Sequence, residues 1–140
     1  GARAVHLILC DGTAVEGDVF LNLFEARTGV PERVGTLING DEIFLPVKTE
    51  QGVFLVNLKQ VVTVRVDADE ERDDLMLLGE KHTVRIRMTN APDVIADIYV
   101  DPPPDRAAPN YFNRPQRFFR LFQGDEVLYL NREYILYVRD

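Results

Sequence analysis

The side chains in this 140-residue chain that can do chemistry are few and scattered. Nucleophilic catalysis needs a nucleophile, a base to activate it and a group to orient the base. The sequence contains no serine, and its single cysteine, Cys10, has only His6 and His82 as imidazole bases. A lone cysteine on a strand reads as a small apolar residue rather than a thiolate, and no Cys or His pair has the spacing of a zinc site. Asp18 and Asp97 fall at matching places in two similar segments. They are conceivable as an acid and a base, but solvated strand charges are the simpler reading. Asp67–Asp74 packs six acids into eight residues. A divalent cation is the functional reading, but the run lacks the interposed glycine and closing glutamate of a calcium loop, and a solvated linker is preferred. No glycine-rich phosphate loop precedes a helix. The expectation is therefore a protein without catalytic, cofactor-binding or metal-binding residues.

Recognition chemistry is better represented. Tyr111, Phe112, Arg114, Phe118, Arg120 and Phe122 interleave aromatic rings with guanidinium groups. Rings bury large areas and arginine both stacks and donates several hydrogen bonds, the combination that interface centres favour. Alternation along a strand over Ile43–Lys48 puts Ile43, Leu45 and Val47 on the core face. Phe44, and by equivalence Phe118, Arg120 and Phe122, then point outward, where aromatic rings need a cover. That cover is either a partner or another part of the same chain.

These residues sit in a framework that occurs twice. Val53–Val66, V-F-L-V-N-L-K-Q-V-V-T-V-R-V, returns 74 residues later as Val127–Asp140, V-L-Y-L-N-R-E-Y-I-L-Y-V-R-D. In both, an apolar run reaches Asn57 or Asn131, turns, and resumes, which reads as strand, tight turn, strand, with Asn suited to the turn by its short amide and its tolerance of left-handed backbone. Thr36–Val66 lies over Asn110–Asp140 at this offset, matching Asn39 with Asn113 and Phe44 with Phe118. Val5–Asn22 lies over Val84–Asp101 at an offset of 79. The five-residue difference falls in one connection, Leu23–Gly35 against Pro102–Pro109, where a helical turn over Leu23–Arg27 is admissible and length changes cost little. Val5, Leu7 and Leu9 share a strand face with Val15, Gly17, Val19 and Leu21 inward on the next strand. The small Gly17 and Ala96 leave room for a bend or another backbone. Thr36–Gly40 and Asn110–Arg114 read as short turns.

The predicted fold is all-β: two tandem, highly curved five-stranded antiparallel barrel or sandwich units, Sm-like or SH3-like, related by a pseudo-twofold axis. The units span residues 4–66 and 82–140, joined by an acidic linker over 67–81 with a short helix. Each unit is near the lower limit for a self-sufficient core, so the two are expected to pack together. No stretch approaches the ~18 apolar residues of a membrane span. One cysteine fits a reducing compartment, and a cytoplasmic location is expected. Gly1 in place of an initiator Met suggests that a native N-terminal segment is missing. The net charge of −7 resides in residues 1–74, with 14 acidic and 7 basic side chains, against 9 of each in residues 75–140. An acidic surface repels phosphate backbones, so nucleic acid is disfavoured as a partner.

Two resemblances follow from these motifs. The stretch V-H-L-I-L-C-D-G-T-A-V-E-G-D-V-F-L-N, with a one-turn connection before the last strand, resembles in topology the Sm-like small barrels, which bind RNA in rings. The family's RNA-contacting residues do not carry over, because Asn57-Leu58-Lys59 and Asn131-Arg132-Glu133 stand where that family has Arg-Gly. The pattern T-L-I-N-G-D-E-I-F-L-P-V followed by F-L-V-N-L-K-Q-V-V-T-V looks like an uncharacterised bacterial family of short β domains, which implies a fold and no activity. The functional expectation is a non-enzymatic protein-interaction or scaffolding module, acting on a protein partner or on itself, with an RNA-binding or small-ligand-binding barrel as the alternative.

Overall fold

A computed structural model of the chain describes residues 1–22, 31–101 and 106–140. The helical turn expected over Leu23–Arg27 and part of the expected 102–109 loop lie outside the described residues. Ten strands follow in order: β1 (Ala2–Leu9), β2 (Ala14–Phe20), β3 (Phe44–Thr49), β4 (Gly52–Asn57), β5 (Val61–Asp67), β6 (Glu80–Met88), β7 (Val94–Val100), β8 (Phe118–Gln123), β9 (Glu126–Asn131) and β10 (Ile135–Arg139). Three short helices accompany them: α1 (Val34–Ile38), α2 (Ala68–Glu71) and α3 (Ala107–Phe112). The fold is all-β, as expected, and the segments read as turns around Thr36 and Asn110 begin as single helical turns.

The strands form one antiparallel sheet in the order β10-β6-β7-β8-β9-β5-β1-β2-β3-β4. The arrangement of two separate barrels about a twofold axis is corrected here. The sheet is continuous and unclosed, and its centre is a β5–β9 ladder pairing Thr63 with Leu130, Val64 with Tyr129 and Val66 with Val127. A twofold axis would pair a strand with its own counterpart, β5 with β10 or β4 with β9. The observed contact joins the fifth strand of the first half to the fourth strand of the second, a head-to-tail relation.

Local rules account for the strands. β1 and β2 pair Val5 with Gly17, and β6 and β7 pair Val84 with Ala96, so period-two alternation turns the same apolar positions inward in each hairpin. The turns between them use different residues for one backbone need: Gly12 (φ 90°) and Asn90 (φ 53°) occupy the left-handed region. A Cβ on Gly17 would run into the Lys48 carbonyl, so the missing side chain admits the β3 backbone. Asn57 and Asn131 do not take the left-handed conformation; at φ −70° each stays extended. Their side-chain oxygens instead accept from Lys59 N (3.1 Å) and Glu133 N (3.0 Å), capping single 3-10 turns over Leu58–Gln60 and Arg132–Tyr134.

The core forms two clusters that do not divide at the linker. Phe118, Phe122, Val127 and Tyr129 of the second half pack with Val5, Leu7, Leu45 and Val64 of the first. Conversely, Val62 of β5 packs with Phe119, Leu121, Leu128 and Leu130. The hairpin β8–β9 is therefore buried on both faces, which explains its nearly continuous apolar run F-F-R-L-F and V-L-Y-L.

Candidate functional site

The six aromatic and arginine residues singled out from the sequence are split by the structure into two groups on opposite faces of β8. Tyr111 and Phe112 of α3 stack edge-on with ring centroids 5.1 Å apart and lean on Phe119. The Arg114 guanidinium lies 4.9 Å over the Tyr111 ring, and the Tyr111 hydroxyl donates to the Arg120 carbonyl. Burial raises the Tyr111 pKa, against the opposing charges of Arg120 and Arg114. On the other face, Phe118 is 1% exposed, Phe122 is 8% exposed and stacks edge-on with Tyr99 at 5.3 Å, and Arg120 is half-buried. Phe118 and Phe122 do point away from their own half's core, as alternation predicts. Their cover is the first half of the same chain. Arg114 is exposed, Phe112 is half-buried, and Tyr111, Phe118 and Phe122 are interior.

The junction that covers them is built from polar groups as well as rings. Asn39 Nδ2 donates to the Phe118 carbonyl (3.1 Å) and Asn39 Oδ1 accepts from Phe118 N (2.8 Å), gripping the start of β8 from the end of α1. The fully buried Asn131 donates through Nδ2 to the Val61 carbonyl (2.8 Å) where β5 begins. Beside them, Glu71 at the end of α2 is also fully buried, although the sequence places it in an acidic run read as solvated. Its Oε1 accepts from Val34 N and Arg3 Nη1 (3.0 and 2.9 Å), and its Oε2 accepts from Gly35 N and the Tyr129 hydroxyl (3.0 and 2.5 Å). Four donors from three elements, α1, β1 and β9, satisfy one carboxylate, which is how a buried charge is tolerated. Burial, then the Glu71 charge, pushes the Tyr129 pKa well up. Gly35 faces the Tyr129 ring so closely that an added Cβ would sit 2.5 Å from its hydroxyl oxygen.

The two ends of the sheet present the same strands without a partner. β4 is the last strand at one end, and its Val53, Phe54 and Leu55 are exposed at 63%, 39% and 65%. β10 is the last strand at the other, with Leu136 and Tyr137 at 62% and 54%. Neither apolar run carries an internal charge or proline, the usual protection of a sheet edge. Ile43 and Phe44 extend the apolar surface beside β4. Ile43 was expected on the core face; it lies just before β3 and is exposed.

The remaining candidates fall into minor places. Cys10 is exposed and donates to Gln60 Oε1 at 3.0 Å. His6 pairs with Glu16 at 2.7 Å and His82 lies 3.8 Å from Glu80. Asp97 accepts from the Thr83 hydroxyl at 2.6 Å, and Asp18 sits opposite Lys48. Among the described residues no three His, Cys, Asp or Glu side chains gather as a metal would require, and no helix is long and apolar enough to cross a membrane. A cleft of about 630 Å³ opens beside the junction, lined in part by Lys59, Arg117, Arg132 and Glu133. Sequence reasoning missed Asn39, Glu71 and Asn131 as junction residues. The two asparagines carried a signal, since each stands at a repeated position, whereas Glu71 carried none. In comparisons with known proteins, no family model, no curated protein and no solved structure matches this chain.

Proposed function

We propose that this chain is a non-enzymatic protein-interaction module: a tandem pair of five-stranded, Sm-like units joined into one sheet that offers strand edges to a protein partner. One observation carries the reading. Among the described residues the sheet ends in two largely apolar strands, β4 and β10, whose one charge is Arg139 at the end of β10 and whose outward side chains are exposed, while every other strand is paired on both sides. Such an edge is a template for strand addition, in which backbone hydrogen bonds give affinity and alternate side chains give specificity. The tandem reading is supported by the strand order, β5-β1-β2-β3-β4 in one half and β10-β6-β7-β8-β9 in the other. Registers support it too, since Asp18 faces Lys48 and the matching Asp97 faces Phe122.

The alternative, an RNA-binding or small-ligand-binding barrel, draws on the cleft beside the junction, where Lys59, Arg117 and Arg132 outnumber Glu133. Among the described residues no aromatic platform for base stacking lines that cleft, and the chain carries −7 overall. Electrophoretic shift with mixed single-stranded RNA at low salt separates the two readings. The interaction module leaves the RNA unshifted, whereas tight binding that weakens steeply with salt overturns it in favour of the barrel.

A further inference from the structure

We infer that the outward face of β10, β6 and β7 is a docking surface for a short acidic segment of a partner protein, held by Arg85 and Arg139. This rests on the interaction-module reading and names the chemistry of a partner. Its basis is the same row of residues compared between the two halves.

In the first half that row is Arg65, His6 and Glu16, one residue from each of the adjacent strands β5, β1 and β2. At the offsets of 74 and 79 it corresponds to Arg139, Arg85 and Ile95, which pair in the same way across β10, β6 and β7. The charges of the first row are answered. His6 pairs with Glu16 at 2.7 Å, and Arg65 reaches Gln123 at 3.0 Å and Glu126 at 3.4 Å in the hairpin beyond β5. In the second row Ile95 stands where the first has its acid, and β10 ends the sheet, so no further strand supplies a carboxylate. Among the described residues neither Arg85 nor Arg139 forms an ion pair.

Two like charges directly opposite each other on a sheet face repel. Cross-strand neighbours stand about 5 Å apart, so one carboxylate between Arg85 and Arg139 accepts from both guanidinium groups and relieves the repulsion. Tyr137 and Ile95 flank the two arginines on the same face, 54% and 48% exposed, and offer apolar contact to side chains next to that carboxylate. Arg87, opposite Tyr137, already holds Asp93 at 2.9 Å, an example within the chain of the exposed arginine–carboxylate contact that the other two lack.

The surroundings select a short acidic segment over larger anions. The face is three strands wide, with about 10 Å between the outer two. Residues 1–74 carry 14 acidic and 7 basic side chains. A long phosphate backbone or an anionic membrane overhangs a patch of that width and meets the repulsion of the acidic half, whereas a short run of carboxylates fits inside it.

Fluorescence anisotropy with labelled decaglutamate at low salt tests this. The parent binds the peptide, and binding weakens as salt rises. Arg85→Glu with Arg139→Glu lowers the affinity by about 10-fold or more. Both residues are exposed, so the variant keeps the circular dichroism and melting temperature of the parent. Arg85→Gln with Arg139→Gln, which adds no negative charge, also lowers the affinity. Lys59→Glu with Arg132→Glu makes the same change of charge in the cleft beside the junction and shifts the affinity by no more than about twofold. A parent that does not bind the peptide overturns the proposal, as does an equally large loss in the cleft variant. Phosphatidylserine vesicles or single-stranded RNA that bind more tightly than the peptide, and are released by the same two arginine substitutions, overturn it too. RNA binding of that kind takes the interaction-module reading with it, whereas a parent that binds neither peptide nor RNA sinks the acidic-segment proposal alone.

Discussion

Glu71→Ala tests the junction most directly, because a single carboxylate there accepts from Val34 N, Gly35 N, Arg3 and Tyr129. Truncation leaves two backbone N–H groups without an acceptor, at about 1–3 kcal/mol each, and strips Arg3 of its buried partner, a loss of about 3–5 kcal/mol where both charges are fully enclosed. These terms overlap, and Arg3 is 16% exposed and keeps Glu70 at 3.5 Å, so the lower end applies. The expected loss is about 4 kcal/mol, much of the ~5–15 kcal/mol of a whole domain. Urea unfolding followed by far-ultraviolet circular dichroism reads it. With a slope of about 2 kcal/mol per molar for a chain of this size, the midpoint falls by about 2 M at unchanged slope. Glu70→Ala is the matched control, since Glu70 is half exposed and its removal shifts stability by no more than about 0.5 kcal/mol. If Glu71→Ala lowers the midpoint by no more than the control does, the carboxylate is solvated and the account of the junction fails.

Asn131→Ala costs about 2–3 kcal/mol in urea, since it removes a turn cap and leaves the buried Val61 carbonyl without its donor. Asn57→Ala removes only a cap in the isolated chain and costs about 1 kcal/mol. Equal losses at the two positions speak against the junction geometry. Alkaline titration reads the buried tyrosines: Tyr129 and Tyr111 have pKa values raised by burial, so the unfolded chain releases their protons first. Their stabilisation is complete below pH 10 and is lost as pH rises above it, at about 1.4 kcal/mol per pH unit for each tyrosine until the folded-state group itself ionises. Tyr129→Phe removes one of the two slopes, and denaturant midpoints that stay flat across that range contradict the assignment.

Period-two alternation and the internal similarity made the strands legible, with the inward positions of β1, β2, β6 and β7 among them. Alternation says which side of a strand a residue takes and nothing about what lies on that side. Phe118 and Phe122 were therefore placed correctly with respect to their own half, while their cover, a surface made 50 or more residues earlier in the chain, left no trace in the local pattern. Glu71 shows the same limit in polar form. Its neighbours Asp69, Glu70, Asp73 and Asp74 carry the solvated character of the run, and only the tertiary approach of α1 and β9 singles out one acid for burial. The head-to-tail joining of the halves was hidden for a third reason: a repeat fixes what the two units have in common but not the symmetry that relates them.

The sharing of one core between the halves has a consequence for biosynthesis. The first 67 residues leave the ribosome carrying β1 to β5, yet Phe118, Phe122, Val127 and Tyr129, which complete their apolar interior, are still to be made. Until β8 and β9 emerge, one edge of β5 is unpaired and Val62 lacks the cover of Phe119, Leu121, Leu128 and Leu130. The second half thus acts toward the first as a chaperone encoded in the same reading frame, and its arrival converts an aggregation-prone edge into a strand paired on both sides.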